Sequence, residues 1–193
     1  MNTINQISDK VKSNSYRLKE IQWADLENVF RGLSNPEITK FYDVHYSSLE
    51  ETQEQMEWYE NLKENGTGIW WGIFDRKDDS FCGAGGFNDL NQAHRKAEIG
   101  FWLLKEYWGK GILKEVMPVL FAYGFSELNL NRIEGFVQSE NEKCKRALKK
   151  VDFTYEGTMR EYELTNATKT DLDNFAILPK QWDKSNEGEE GEN

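Results

Sequence analysis

A glycine loop at residues 107–113 constrains the fold of this chain more than any other segment. Residues 99–104 before the loop have the apolar composition of a buried strand, and residues 113–128 after it have that of a helix. Gly109 and Gly111 allow the backbone to approach a ligand closely. The helix that follows directs unpaired N–H groups and its positive dipole end at the same point. The sequence therefore predicts a strand, an anion-binding loop and a helix start, with a plain tight turn as the alternative.

Spacing excludes two common phosphate-binding motifs. The nucleoside-triphosphate loop needs a Ser or Thr after its Gly-Lys pair, whereas Ile112 and Leu113 follow Gly111 here. The dinucleotide fingerprint needs a third glycine three residues after the second, and that position is Lys114. A short loop for a pyrophosphate is the interpretation that is left.

Composition excludes several classes of protein. A chain of 193 residues fits one domain and is long enough to bury a core. Its net charge of −10 argues against nucleic-acid binding and favours cationic partners. We expect a cytoplasmic protein without membrane contact, because no apolar run approaches the length of a membrane span and the N-terminus lacks a signal-peptide core. Neither the two cysteines nor the two histidines have metal-ligand spacing, so we expect no metal site.

Hydrophobic periodicity predicts one α/β (α+β) domain. The predicted strands are residues 16–21, 69–75, 81–87, 96–104, 132–138, 154–164 and 169–178, with hairpins between the second and third and, about Asn166, between the last two. The predicted helices are residues 24–33, 48–62, 113–128 and 141–151, the second starting with a capping box at Ser48 and Glu51. Pro118 either kinks the long helix or lies in its first turn, if that helix starts late. We assign residues 1–15 to an N-terminal extension, 16–180 to the domain and 181–193 to an acidic tail that is too polar to fold.

Positive charge clusters near the glycine loop although the whole chain is acidic. Lys110 and Lys114 flank the loop, and residues 141–150 contain five basic residues against one acid. A pyrophosphate loop without a hydroxyl for magnesium, together with nearby positive charge, is what a coenzyme A site requires. For any single lysine, a solvated helix face is the alternative.

Several motifs then follow one another in a recognisable order. They are residues 97–103 (AEIGFWL), 107–112 (YWGKGI), 123–125 (YGF), 131–134 (NRIE), Asn141, Phe153 and 156–157 (EG). In order and spacing they resemble the GNAT superfamily of acetyl-CoA-dependent N-acetyltransferases, and most closely its Rim-type ribosomal-protein branch. The resemblance covers about residues 16–180. It implies a splayed mixed central sheet of about seven strands with about four helices, and it allows a homodimer.

The resemblance implies acetyl-CoA as the donor, wedged between the strand that ends at Leu103 and the strand that starts near Arg132. Backbone groups of Phe101, Trp102 and Leu103 would hold the pantetheine arm like an added strand, and the Leu103 N–H would polarise the thioester carbonyl. Asn141 matches a family asparagine that bonds the pantetheine or acetyl region, and a helix cap is its other interpretation.

The same resemblance places the pyrophosphate on the glycine loop. Only Gly111 matches the family motif strictly, because Trp108 replaces a basic or amide residue and Leu113 replaces a small one. Backbone N–H groups do most of the binding, so these changes weaken the motif without abolishing it. The predicted phosphate-binding residues are Trp108, Gly109, Lys110, Gly111, Ile112, Leu113 and Lys114.

Catalysis requires a base, because an amine must lose a proton before it can attack the thioester. Many relatives place a tyrosine acid seven residues after the asparagine, but that position is Leu148. In the Rim-type branch a serine acid and a glutamate base correspond to Cys144 and Glu163. Cys144 is able to donate a proton, or it is a packing residue, and Glu163 would have to be partly buried to be efficient. Glu98, on the strand that would bind the acetyl group, is the competing base.

These residues predict transfer of acetyl to a primary amine by direct attack. A protein N-terminal α-amino group is the preferred acceptor, and polyamines, aminoglycosides and amino-acid-like molecules are the alternatives. A coenzyme A-binding module without turnover is the rival hypothesis. It is suggested by Leu148, by Cys144 and by Asp152, which stands where relatives have glycine but which tolerates a positive φ.

Overall fold

The structure is a computed structural model, and it describes residues 15–165 and 168–182. Most of the predicted N-terminal extension, the turn about Asn166 and the tail from residue 183 lie outside the described residues. The strands are β1 (Tyr16–Glu20), β2 (Ile69–Asp75), β3 (Phe81–Asn91), β4 (Lys96–Leu103), β5 (Arg132–Gln138), β6 (Thr154–Thr165) and β7 (Thr168–Ile177). The α-helices are α1 (Leu26–Leu33), α2 (Pro36–Thr39), α3 (Leu49–Glu64), α4 (Ile112–Ser126) and α5 (Glu142–Lys149), and 3-10 turns lie at Trp23–Asp25 and Lys105–Tyr107.

The seven strands form one mixed sheet in the order β1-β2-β3-β4-β5-β7-β6. Neighbouring strands are antiparallel except for β4 and β5, which are parallel. The predicted mixed sheet of about seven strands is therefore confirmed. The prediction of about four helices missed α2, where Pro36 follows Asn35 and the Asn35 side chain accepts a hydrogen bond from the Glu37 N–H at 2.9 Å. These residues end one helix and immediately cap another.

Helices cover both faces of the sheet. One face packs against α4 and α5 in a core that includes Ile99, Leu120 and Leu148. The other face packs against α1 and α3, with Trp102 and Met56 in its core. Because neighbouring residues of a strand point to opposite faces, β4 contributes side chains to both cores.

Helix α4 begins directly after the glycine loop. Gly111 caps it in the left-handed conformation at φ 78°, and Pro118 lies inside the helix. A late start that puts Pro118 in the first turn is therefore wrong, because the helix already begins at Ile112.

Helix α3 starts as predicted. The Ser48 hydroxyl accepts a hydrogen bond from the Glu51 N–H at 3.1 Å, and the Glu51 carboxylate accepts one from the Ser47 N–H at 2.7 Å. Across residues 15–165 and 168–182, no helix has the length and apolar content needed to cross a membrane.

Candidate active site

A wedge opens in the sheet between β4 and β5. The two strands pair at Lys96 with Arg132, at Ala97 with Ile133 and at Glu98 with Glu134. No later residue of β4 pairs with β5 in the described part of the chain, although β4 stays paired with β3 as far as Leu103. The edge of β4 beyond Glu98 is therefore not covered by β5, and the resemblance predicts that the donor binds there.

Alternation along β4 decides which backbone groups face the wedge. The Leu104 N–H donates to the Cys82 carbonyl of β3 at 2.9 Å. Because successive residues of a strand direct their backbone groups to opposite sides, Leu103 and Phe101 face the wedge and Trp102 faces β3. The predicted backbone contacts to pantetheine thus narrow to Phe101 and Leu103. The Trp102 side chain is 3% exposed and belongs to the core.

Two side chains from outside the sheet reach the wedge edge of β4. The Trp108 indole N–H donates to the Leu103 carbonyl at 2.9 Å, which ties the glycine loop to the strand. The Tyr42 hydroxyl, from the segment between α2 and α3, donates to the Phe101 carbonyl. No sequence pattern indicates a role for Tyr42, because it lies in an irregular segment 59 residues away from its partner, Phe101.

The glycine loop has the backbone conformation expected of an anion site. Gly109 and Gly111 have φ of 74° and 78°, and a Cβ built at either position would meet no atom within 4 Å. Glycine is therefore needed here for backbone conformation and not for space. Ile112 is buried and Leu113 half-buried, so these two offer only their N–H groups to a ligand.

The predicted cluster of basic residues divides into two sets. Lys143 of α5 lies over the Trp108 ring at 5.3 Å, and Lys110 lies over the Tyr107 ring at 4.7 Å, so both ammonium groups are beside the glycine loop. Lys145 instead bonds the buried Asp173 at 3.2 Å and the Ser139 carbonyl at 2.6 Å. It fastens α5 to the sheet and is not directed at the loop.

Asn141 and Cys144 lie at the start of α5. The Asn141 side-chain oxygen accepts a hydrogen bond from the Cys144 N–H at 3.1 Å, which confirms the cap and leaves the NH₂ of the amide for a ligand. The Cys144 side chain packs against the core beside α4 and α5, and burial raises the pKa of its thiol to about 12. Leu148 is 2% exposed, so the position of the usual tyrosine acid lies inside the core.

Glu98 is the half-buried carboxyl at the apex of the wedge. Burial, and after it the negative charges of Asp89 and Glu163, together raise its pKa to about 7, against a hydrogen bond from Asn88 that lowers it. Glu163 is exposed and pairs with Thr170 in the β6–β7 hairpin. The two predicted bases are therefore close enough for one to affect the titration of the other.

A set of ion pairs joins β4 and β5 at the apex of the wedge, beside Glu98. Glu134 accepts from Lys96 at 2.8 Å and from Arg132 at 2.7 Å, and Arg132 also bonds Glu156 at 2.9 Å. Burial alone would raise the pKa of Glu134, but the two cations outweigh burial and lower it. These contacts hold β4 and β5 together where the wedge begins.

The family model of the acetyltransferase (GNAT) domain matches residues 16–154. The chain belongs to the GNAT acetyltransferase family. This GNAT chain is 36% identical over 162 residues to the uncharacterized N-acetyltransferase YoaA of Bacillus subtilis, across 83% of the chain and 92% of YoaA. It is 37% identical over 106 residues to the putative ribosomal N-acetyltransferase YdaF of the same organism, across 55% of the chain and 58% of YdaF.

Its fold also matches that of a solved GNAT-type enzyme. The crystal structure of spermidine N-acetyltransferase from Vibrio cholerae, in complex with CoA and spermine, superposes with a TM-score of 0.77. The superposition covers 87% of this chain and 98% of the Vibrio cholerae chain, at 23% sequence identity. The predicted family and fold are thus confirmed, and this GNAT protein is an N-acetyltransferase that takes its acyl group from a coenzyme A thioester.

Proposed function

We propose that this GNAT enzyme transfers acetyl from acetyl-CoA to a small amine with more than one positive charge, and that Glu98 is the base. The observation that carries the proposal is the acidic apex of the wedge. A carboxyl with a pKa of about 7 lies there among further carboxylates, at the place where β4 and β5 separate.

Three features support acetyl-CoA binding in the wedge. The N-terminus of α4 and the left-handed glycines would hold the pyrophosphate, with Lys110 and Lys143 beside it. The N–H groups of Leu103 and Phe101 on the edge of β4 would donate to the pantetheine carbonyls, since the carbonyls of both residues already accept from Trp108 and Tyr42. The Asn141 amide, whose oxygen caps α5, has two N–H donors left for the same arm.

Glu98 suits the chemistry of the base better than Glu163 does. A general base works best when its pKa is near the working pH, and the raised pKa of Glu98 meets that condition. An amine that arrives as an ammonium ion would give a proton to the Glu98 carboxylate and then attack the thioester carbonyl directly. The exposed Glu163 would act by its charge, because it raises the pKa of Glu98.

The acceptor proposal rests on charge. Asp89 and Glu163 add negative charge around Glu98, which attracts a second ammonium group on the same molecule. The Vibrio cholerae spermidine N-acetyltransferase shares this fold and was crystallised with spermine. A protein N-terminal α-amino group, which the sequence motifs favoured and which the partial match to YdaF supports, is the second candidate. A cytoplasmic location and a homodimer stay predictions from the sequence.

The test is free-thiol release from acetyl-CoA over a matched panel of acceptors. The panel contains spermidine, spermine, a monoamine of similar length, an aminoglycoside and peptides with free N-termini. We expect kcat/KM to be highest for the polyamines and to fall for the monoamine. If a peptide had a higher kcat/KM than every polyamine, the acceptor would instead be a protein N-terminal α-amino group. Acetyl-CoA binding without turnover on any amine would favour the binding module.

A further inference from the structure

The Tyr42 hydroxyl occupies a defined place on the wedge edge of β4. It donates to the Phe101 carbonyl, from the segment that joins α2 to α3. That segment is anchored at both ends, because the Tyr42 N–H donates to the Thr39 carbonyl at 2.9 Å and the Tyr46 N–H donates to the Leu33 carbonyl of α1 at 3.2 Å. The hydroxyl is therefore held at the wedge by the fold and not by a loose side chain.

The direction of the donor along β4 places its reactive end near this hydroxyl. The pyrophosphate loop follows Leu103 in the chain, so a pantetheine arm that starts at the loop meets Leu103 first and runs toward Phe101. The thioester lies at the far end of that arm. Phe101, whose carbonyl accepts the Tyr42 hydroxyl, is thus at the thioester end of the edge, so its N–H, and not the Leu103 N–H that the resemblance implied, would polarise the thioester carbonyl.

The surroundings keep the Tyr42 hydroxyl protonated. The side chain as a whole is 38% exposed, but burial of its hydroxyl end raises the pKa of the phenol above its usual value, and the nearby thiol of Cys144 raises it further. Cys144 belongs to α5, which directly follows β5, the other strand of the wedge. The hydroxyl is therefore near both walls of the opening.

The departing coenzyme A sulfur needs such a donor, since the usual position for one is occupied by a buried leucine, Leu148. We propose that Tyr42 is the catalytic acid that protonates this sulfur, an inference that rests on the proposed acetyl transfer. The amine nitrogen forms a bond to the carbonyl carbon, and the carbon–sulfur bond breaks with its electron pair on sulfur. Sulfur then takes the proton of the Tyr42 hydroxyl, and the nitrogen gives its extra proton to the Glu98 carboxylate, which has passed the proton of the incoming ammonium ion to water before the attack. Water restores the proton of Tyr42 and removes that of Glu98.

The first test is Tyr42→Phe against the matched control Tyr46→Phe. Tyr46 lies in the same segment, but its hydroxyl donates to the Gln55 side chain of α3 at 3.2 Å and not to a carbonyl of β4. Loss of a general acid predicts that Tyr42→Phe lowers kcat by about 100-fold, whereas Tyr46→Phe stays within about twofold of wild type. The affinity for acetyl-CoA, measured by calorimetry, should change little in either variant.

A second measurement separates proton donation from a structural role. Replacement of Tyr42 by 3,5-difluorotyrosine makes the phenol more acidic without removing it. Because burial raises the pKa of the Tyr42 phenol well above that of an ordinary thiol, we expect the more acidic phenol to raise kcat severalfold. A role in holding the segment would leave kcat unchanged, and this result would overturn the proposal.

Two further outcomes also count against the assignment of Tyr42. One is Tyr42→Phe with unchanged kcat and a raised KM for the amine alone. The other is loss of kcat in Cys144→Ala together with unchanged kcat in Tyr42→Phe, which would make the thiol the acid. Wild-type enzyme that acetylates no amine would instead contradict the proposed function, so the two failures are distinguishable.

Discussion

Glu98 and Glu134 lie opposite each other at the last paired position of β4 and β5, yet the pKa of Glu98 is raised and that of Glu134 is lowered. Both carboxyls are removed from water to a large extent. Glu134 has Lys96 and Arg132 within 2.8 Å, whereas Glu98 has the carboxylates of Asp89 and Glu163 as charged neighbours. The neighbours therefore make one glutamate part of the framework and the other a group that exchanges protons near neutral pH.

The pH dependence of the reaction should depend on Glu98. We expect kcat/KM of the wild-type enzyme to rise with pH through an apparent pKa of about 7, as Glu98 becomes a carboxylate. Glu98→Gln should remove this limb and lower kcat/KM at neutral pH by about 100-fold, because it removes a general base. Initial rates between pH 5 and pH 9, roughly the range in which such a group titrates, provide the measurement.

Glu163→Gln is the matched control for that experiment. Since the charge of Glu163 raises the pKa of Glu98, its removal should shift the limb to lower pH and leave most of kcat. Loss of kcat in Glu163→Gln with normal kcat in Glu98→Gln would show instead that Glu163 is the base.

Glu98 should also make the folded protein less stable as pH rises. Its pKa is about 7 in the folded state against an ordinary 4.5, so between these values the folded state holds a proton that the unfolded state has lost. The contribution of Glu98 to the free energy of unfolding is therefore fully present below pH 4.5, and it is lost as pH rises through about 7. The effect is at most about 3 kcal/mol, from a shift of 7 − 4.5 = 2.5.

Denaturant unfolding of wild type and Glu98→Gln at several pH values measures this effect. The difference in free energy of unfolding between the two proteins should shift in favour of the glutamine variant from pH 4.5 to pH 8, a range roughly spanning the two pKa values. A pH-independent difference would mean that Glu98 is not perturbed in the folded state.

The sequence was most informative where the signal is local. The period of two along β4, the glycines at 109 and 111 and the cap at Asn141 each depend on neighbouring residues, and each predicts its structure correctly. Strand alternation in the sequence also predicts that Glu98 shares a face with Gly100 and Trp102. What surrounds Glu98 could not be predicted in this way, because Asp89 and Glu163 come from two other strands.

Trp102 and Tyr42 illustrate the same limit in two ways. Which edge a backbone group of β4 faces depends on its hydrogen-bond register with β3, and no pattern within β4 contains that register. Tyr42 lies in a segment without periodicity, and its hydroxyl reaches the wedge only because the fold brings it to the Phe101 carbonyl, which is distant in sequence. Non-local contacts of this kind decide the chemistry of the site, whereas local patterns decide the elements that carry it.

Asp173 should couple the stability of the fold to the position of α5. It is 5% exposed and accepts from Ser139 at 2.7 Å, from Thr158 at 2.6 Å and from Lys145 at 3.2 Å. Burial would raise the pKa of Asp173, but these three donors outweigh it and lower the pKa. Asp173→Asn weakens the contact to Lys145 and should cost about 2 kcal/mol of unfolding free energy.

The variant should also bind coenzyme A more weakly, because Asn141 and Lys143 are positioned by α5. Thermal unfolding and calorimetry measure the two effects. Glu142→Gln is the control, since Glu142 is the exposed partner of the same lysine, at 2.7 Å, and its loss should change neither quantity much. Equal losses in both variants would place the anchor of α5 elsewhere.

Substitution of the loop glycines should separate ligand binding from stability. Gly111→Ala forces a Cβ into a backbone with φ of 78°, although no atom lies within 4 Å of it. The left-handed conformation costs an L-residue roughly 1–2 kcal/mol, so the loop should relax and turn its N–H groups away from the pyrophosphate. Gly66→Ala is a closely matched control, because Gly66 has φ of 66° and equally open space at the end of α3.

We expect similar losses of thermal stability in both variants, and a lower affinity for coenzyme A in Gly111→Ala alone. If Gly66→Ala weakened coenzyme A binding to the same degree, general destabilisation and not the conformation of the loop would explain the loss.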